Sequence, residues 1–229
     1  MPTALFKLNF TQKTKGMKIL AKYGILHLTL FICLSFFLIW LTGRLILTPD
    51  FYERSGHTLT DISDRGNSVL ELMQKWIYIT SGIYLILKLL CITLILQTAL
   101  FLNSYEIPVS RVFRVVVCAE FLFLIPAGVK IATFSYFYPN GTLLNWHQYY
   151  IFSALSFFKD VPADWYYALQ SFNLFEILYW FVLGYGIMRI TGLNYDRSLH
   201  LVAMSYVPSL LIWIVCVTFF TLLMFPSAA

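Results

Sequence analysis

The sequence predicts an all-α bundle of membrane-spanning helices, and three features of its 229 residues lead to this fold class. Hydrophobic residues make up 59% of the chain and charged residues only 12%, which is too little charge for the surface of a soluble domain of this size. Several apolar runs reach the ~20 residues that a helix needs to cross a bilayer. The four cysteines all fall inside these runs without metal-ligand spacing, which indicates small packing residues.

Five spans follow from the apolar runs and the turn signals between them. Residues 1–22 form a basic tail whose lysines suit a surface of anionic lipid headgroups, and residues 23–229 form one transmembrane domain. No cleavable signal peptide is evident, so the first span is expected to remain as an anchor. The expected spans are residues 24–47, 76–102, 113–137, 174–191 and 200–225, with longer outer loops at 48–75 and 138–173.

The stretch from Trp146 to Gln170 is short for a span, because its apolar and aromatic core ends at Phe158. We expect a helix on the outer side, before the fourth span, that lies at the membrane interface or dips partway into the bilayer. Residues 146–158 are therefore interfacial or re-entrant, and the third alternative is a sixth span.

The distribution of basic residues predicts the orientation. With the N-terminus in the cytoplasm, nine Lys and Arg residues lie on the inner side and five on the outer side, which also holds seven acidic residues. This positive-inside bias indicates N-in and C-out. A sixth span would weaken the bias, which favours five.

Residues 172–208 have the pattern of a helical hairpin. Arg189 in a last helical turn and Gly192 just beyond it are typical of a helix end. Asn194, Asp196 or Ser198 can then cap the next helix through a side-chain oxygen.

Several residues of this hairpin resemble the second half of the Yip family, which comprises small polytopic proteins named for interacting with Ypt/Rab GTPases. They are Asn173-Leu174-Phe175, Trp180, Gly184, Gly186, Gly192 and Ser198-Leu199. The resemblance covers about the last two thirds of the chain, and bacterial members mostly have no assigned activity. Secretory-pathway members tend to have a longer cytoplasmic N-terminal region, so the resemblance implies a bacterial inner (plasma) membrane, with the Golgi or endoplasmic reticulum as the alternative. The glycines also fit helix packing through small residues alone.

Four ionisable residues lie inside the predicted spans: Lys88, Glu120, Lys130 and Glu176. A charge at the bilayer centre costs roughly 2.5 to 3.5 kcal/mol on insertion scales, so each is expected to face the bundle interior. Helical rise, counted from the predicted ends, places Lys88 near the midplane, Glu120 in the inner half, Lys130 somewhat outside the midplane and Glu176 near the outer surface. These depths predict two ion pairs, Lys88 with Glu120 and Lys130 with Glu176.

Pro126, Gly128 and Pro208 are candidate helix breaks within the third and fifth spans. Together with the four charges they allow two interpretations. The pairs are structural and fix the register of the helices, or they line a pathway like those in carriers with broken helices. We prefer the structural interpretation, because the inverted repeat usual in such carriers is not evident.

The sequence contains no catalytic motif, and its histidines, His27, His57, His147 and His200, lack ligand spacing. We therefore expect no enzyme activity, no cofactor and no metal, and we attribute the positive net charge to topology rather than to nucleic-acid binding. The first functional hypothesis is a non-enzymatic subunit or accessory of a larger membrane assembly in trafficking, secretion or transport. Its partners would be membrane lipids and other integral membrane proteins. The alternative is a small carrier or ion pathway that uses the buried Lys and Glu residues.

Overall fold

A computed structural model describes the backbone of residues 3–56, 66–158 and 161–224. Side chains are described from Gly24 onward within these ranges, except at positions 49, 66–71, 73–74, 163–164 and 224. The described residues form helices α1 (Thr3–Leu45), α2 (Pro49–Arg54), α3 (Gly66–Leu102), α4 (Val109–Glu120), α5 (Leu124–Phe137), α6 (Leu143–Gln148), α7 (Ala163–Ser171), α8 (Leu174–Thr191) and α9 (Tyr195–Met224). They contain one isolated β-bridge, between Ser153 and Asn173, and no extended strand.

Five helical stretches are long and apolar enough to cross a membrane. They are Gly24–Leu45, Lys75–Leu102, Val109–Phe137, Leu174–Thr191 and Tyr195–Leu223. The prediction of an all-helical chain with five spanning-length helices is therefore confirmed. The fifth begins earlier than predicted, because Asn194 accepts a hydrogen bond from the Asp196 backbone N–H at 3.0 Å and so caps the start of α9.

Several predicted boundaries differ from the observed helix ends or lie outside the described residues. Helix α1 begins at Thr3, so the basic tail is helical and continuous with the first span. The predicted outer loop 48–75 contains α2 and the first turns of α3. Its central part, residues 57–65 with His57, lies outside the described residues, as does residue 225 at the predicted end of the last span.

Helices α8 and α9 pack against each other as a hairpin, and two glycines of α8 allow close packing with α9 and α4. A Cβ on Gly184 would lie 3.2 Å from the Cα of Leu199 on α9, and a Cβ on Gly186 would collide with the side chain of Val115 on α4. Gly192 ends α8 with a φ of 76° in the left-handed region. The helix stop predicted after Arg189 is thus confirmed.

The third span consists of α4 and α5, joined by a 3-10 turn at Phe121–Phe123. Proline has no N–H, and its ring clashes with the carbonyl four residues earlier, which for Pro126 is that of Leu122. The 3-10 turn is the local response to this clash, and it follows directly after Glu120. The break predicted at Pro126 and Gly128 therefore lies a few residues before them, and both residues are inside α5.

The break predicted at Pro208 is wrong, because α9 runs without interruption from Tyr195 to Met224. Next to the proline, the Ser209 hydroxyl donates a hydrogen bond to the Ser205 carbonyl oxygen at 2.8 Å. Pro208 itself lacks only the N–H that would donate to the Met204 carbonyl oxygen, and membrane helices tolerate such a loss.

The single outer helix predicted between Trp146 and Gln170 is not present. Helix α6 ends at Gln148, a 3-10 turn follows at Ala154–Phe157, and α7 begins only after Pro162. Backbone hydrogen bonds from Ala154 N to Phe172 O (2.7 Å) and from Leu174 N to Phe152 O (3.0 Å) break the stretch by folding it back on itself. The described residues of this stretch are not among the five spanning-length helices, so they do not form a sixth span.

Candidate functional site

Three of the four predicted polar residues lie at similar depth in the bundle. Counted from the end of the bundle where α3 and α8 finish and α4 and α9 begin, Lys88 lies about 21 Å along α3, Glu176 about 22 Å along α8 and Glu120 about 16 Å along α4, at about 1.5 Å per residue. Glu176 therefore lies level with Lys88 in the bundle, whereas the sequence analysis expected the two residues at different depths. Helix α8 has only 18 residues, so its first turn lies level with the middle of α3.

The ion pair predicted between Lys88 and Glu120 is present in the structure. Lys88 Nζ lies 2.8 Å from Glu120 Oε2, and the two side chains are 24% and 2% exposed. The lysine ammonium also lies 4.2 Å from the ring centroid of Phe123, in the 3-10 turn that Pro126 induces. The other carboxylate oxygen, Glu120 Oε1, is buried and accepts no hydrogen bond from the described residues.

Glu176 has partners without formal charge. Its Oε1 atom accepts hydrogen bonds from Tyr206 OH at 2.8 Å and from Trp180 Nε1 at 3.2 Å. Asn173 caps α8 by accepting a hydrogen bond from the Glu176 backbone N–H at 2.8 Å, which fixes the first turn of the helix. Both side-chain hydrogen bonds end on Oε1, and Glu176 also lines two cavities.

Two tyrosines, Tyr179 and Tyr206, lie close to the two carboxyl groups, and the sequence analysis did not identify them. The ring of Tyr179 packs edge-on against that of Tyr206, with centroids 5.5 Å apart. The Tyr179 hydroxyl is buried without a hydrogen-bond partner among the described residues, within electrostatic range of Glu120. A search for charged residues misses tyrosine, but Tyr179 and Trp180 stand three and four residues after Glu176 and so share its helix face.

The pair predicted between Lys130 and Glu176 is not formed. Lys130 Nζ lies 4.3 Å from the ring centroids of both Trp146 and Tyr150, which hold the ammonium by cation–π contacts. The reason is the packing of α5 against α1, with α6 covering it, which directs Lys130 away from α8. Lys130 and Glu176 therefore both lie within the predicted spans, and neither forms a salt bridge with another described residue.

Two cavities meet at Lys88. The first, which we call the vestibule, has a volume of about 530 Å³ and extends from Lys130 and Trp146 to the Lys88–Glu120 pair, with hydroxyl groups of Ser35, Thr42, Thr80 and Ser81 on its wall. The second, which we call the central cavity, has a volume of about 410 Å³ and is lined by Lys88, Glu176, Tyr206 and Trp213. Lys88 is thus part of the wall between the two cavities.

The groups around the vestibule and the central cavity have shifted pKa values where they lie outside the spans. Burial, followed by the charge of Lys130, lowers the pKa of His147 below its usual 6.5. Burial raises the pKa of Tyr150 and of Tyr167 above 10. All three residues are therefore uncharged at neutral pH, and Lys130 is the cation of the vestibule mouth.

Lys88, Glu120 and Glu176, which we call the charged cluster, do not balance in charge. Lys88 supplies one positive charge, whereas Glu120 and Glu176 supply two negative charges when both are ionised. An isolated carboxylate in a low-dielectric interior is neutralised rather than left charged. Glu176 is therefore the carboxyl group of the three residues that has no salt bridge among the described residues.

Protein-family models, curated protein sequences and solved structures contain no match to this chain. The class of protein rests on the fold alone, which is a bundle with five apolar helices suited to a membrane. The residues that resemble the Yip family have local structural roles, since Asn173 caps α8, Trp180 donates to Glu176, and Gly184 and Gly186 pack closely.

Proposed function

We propose that this chain is a non-enzymatic integral membrane protein with an ion pathway, in which Lys88, Glu120 and Glu176 move protons between the vestibule and the central cavity. The observation that carries the proposal is the shared position of Lys88, which contacts Glu120 and faces the cavity lined by Glu176. Ionisable groups at membrane depth are expensive, and they commonly mark proton relays or ion pathways.

The absence of the second ion pair supports a pathway over a purely structural role. Structural pairs would leave each charge with a fixed partner of opposite sign. Instead, Glu176 has hydrogen-bond donors only, and Lys130 has aromatic partners only, among the residues that the structure describes. Each of these two residues lines a cavity.

The proposed cycle moves one proton. Glu176 releases its proton to the central cavity, and its carboxylate then attracts the ammonium group of Lys88. Glu120, now without its partner, takes up a proton from the vestibule. This proton then passes on to Glu176, and Lys88 returns to Glu120.

Proton flux into proteoliposomes tests this cycle. The purified chain is reconstituted with a pH-sensitive dye inside the vesicles, a pH step is applied, and a potassium ionophore clamps the membrane potential. The unmodified chain should acidify the lumen faster than empty vesicles. Glu176→Gln and Lys88→Met should reduce the rate to that of empty vesicles, since each removes a proton-exchanging or charge-balancing group.

Two control variants separate this result from general damage. Glu106→Gln and Lys75→Met make the same chemical changes at exposed positions near the ends of the spans, and they should conduct like the unmodified chain. The proposal fails if the folded Glu176→Gln variant conducts normally, or if the unmodified chain conducts no faster than empty vesicles.

The second candidate function is that of a subunit or accessory of a larger membrane assembly. The position of α1 and α9 favours it, because few of their residues are buried within the chain, and Ile212, Val215 and Phe220 are among those exposed on α9. Extraction in a mild detergent followed by mass spectrometry tests it. A protein that co-migrates in stoichiometric amount is the expected result, whereas a chain that migrates alone contradicts this role.

The proposed orientation is N-in and C-out in a bacterial inner (plasma) membrane. The nine basic residues on the predicted inner side support the orientation, and the resemblance to bacterial Yip-like proteins supports the membrane. A cysteine introduced at Glu53 should react with an impermeant maleimide in intact cells, and one introduced at Glu106 should react only after lysis. The reverse pattern would overturn the orientation.

A further inference from the structure

A groove between α3 and α9 is separate from the charged cluster. It has a volume of about 1030 Å³, and its apolar wall includes Leu94 on α3 and Leu201 and Met204 on α9. The hydroxyl hydrogen of Ser205 is used within its own helix, in a bond to the Leu201 carbonyl oxygen at 2.7 Å. Most of the groove therefore offers an apolar surface.

The polar groups of the groove are concentrated at one end, where α9 begins. Asp196, Arg197 and His200 lie there, and all three are exposed. Among the described residues, neither the Asp196 carboxylate nor the Arg197 guanidinium has a hydrogen-bond or ion-pair partner. An acidic residue and a basic residue, consecutive in the sequence, therefore both line this end of the groove.

The length of the groove matches one leaflet of a bilayer. From Asp196 to Ser209, the last groove residue on α9, the helix rises about 20 Å at about 1.5 Å per residue. Half of a bilayer, with its headgroups, is about 20 to 22 Å thick. A lipid with its headgroup at Arg197 would therefore place an acyl chain along the whole groove.

We infer that the groove binds a phospholipid with an amino headgroup, such as phosphatidylethanolamine. The phosphate lies against Arg197 and His200, because a guanidinium and an imidazole N–H both donate to phosphate oxygens. The ammonium of the headgroup pairs with Asp196. One acyl chain packs between α3 and α9, where it covers Leu94 and Met204.

Native mass spectrometry of the full chain tests this inference. The purified protein is exchanged into nanodiscs that contain equal amounts of phosphatidylethanolamine, phosphatidylglycerol and phosphatidylcholine, released into detergent and delipidated stepwise. The unmodified chain should retain one phosphatidylethanolamine after the other lipids are lost. Arg197→Gln should weaken retention of all three lipids about tenfold or more, since it removes a charge-assisted hydrogen bond.

Three further variants make the result specific. Asp196→Asn should remove the preference for phosphatidylethanolamine over phosphatidylglycerol. Thr98→Phe should block the groove while it leaves Asp196 and Arg197 unchanged. If Arg197→Gln does not fold, lipid retention by Thr98→Phe tests the inference instead. Arg44→Gln, at the other end of the bundle, should change nothing. The inference is overturned if the Arg197 and Thr98 variants both retain the lipid, if the three lipids are retained equally, or if a protein co-purifies in place of the lipid.

Discussion

Glutamine in place of Glu120 and of Glu176 tests whether Lys88 has two interchangeable partners. At the 2.8 Å separation of Lys88 and Glu120, an effective dielectric constant of about 20 gives an attraction of about 6 kcal/mol before desolvation. Removal of one partner from a buried ion pair typically costs about 3 to 5 kcal/mol, because the other charge is left uncompensated.

Glu120→Gln alone should cost less than this, because the ammonium of Lys88 can then pair with Glu176. Glu176→Gln alone should cost about 1 kcal/mol, since the amide oxygen can still accept from Tyr206 and Trp180. The double variant leaves Lys88 without a carboxylate, so its loss should exceed the sum of the single losses by about 1 to 3 kcal/mol.

The free energy of unfolding can be measured by titration of SDS into micelles of a mild detergent, with helicity followed by circular dichroism. When Lys88 is also replaced by Met, the loss of unfolding free energy in the double variant should no longer exceed the sum of the single losses, because the shared cation is gone. Glu106→Gln should add to either variant without coupling. If the losses of the double variant are additive within about 0.5 kcal/mol, Lys88 does not alternate between the two carboxylates.

Three further outcomes are expected. Gly186→Leu should unfold the bundle or destabilise it by several kcal/mol, because its side chain would occupy the space of Val115, whereas Gly128→Ala, in open space, should be neutral or slightly stabilising in the same SDS titration. Asn173→Ala should cost about 0.5 to 2 kcal/mol, since it removes the cap of α8. NMR titration should place the pKa of His147 below 6.5, and Lys130→Gln should raise this pKa because it removes a nearby positive charge. Between the pKa of His147 in the folded chain and its pKa in the unfolded chain, the unfolded chain binds more protons than the folded chain. The contribution of His147 to stability therefore grows as pH rises through this range and is lost below it. A His147 pKa that does not change in Lys130→Gln would contradict the influence of the Lys130 charge on His147.

The sequence predicts most of the helices, because the signals that define them are local. Apolar runs define the five spans, and Arg189 with Gly192 marks the end of α8. The Lys88–Glu120 pair is also predictable, since opposite charges at similar depth on neighbouring helices are costly unless they meet.

Other features depend on lengths and contacts that the sequence does not display. Glu176 lies level with Lys88 because α8 is shorter than α3, and positions counted from each predicted helix end miss this difference in length. The break caused by Pro126 acts on the turn before it, at Phe121–Phe123. Lys130 meets Trp146 because α6 folds over α5, and no periodic pattern predicts that contact.

Infrared spectroscopy reports the protonation of Glu120 and Glu176 through the bands of their carboxyl groups. The carbonyl stretch of a protonated carboxyl group is distinct from the bands of an ionised carboxylate, so the count of protonated carboxyls at neutral pH can be read from the unmodified chain and its variants. We predict one protonated carboxyl that disappears in Glu176→Gln, persists in Glu106→Gln, and is joined by a second in Lys88→Met, where no cation remains. A spectrum of the unmodified chain with no protonated carboxyl at neutral pH would contradict the proton-exchange site.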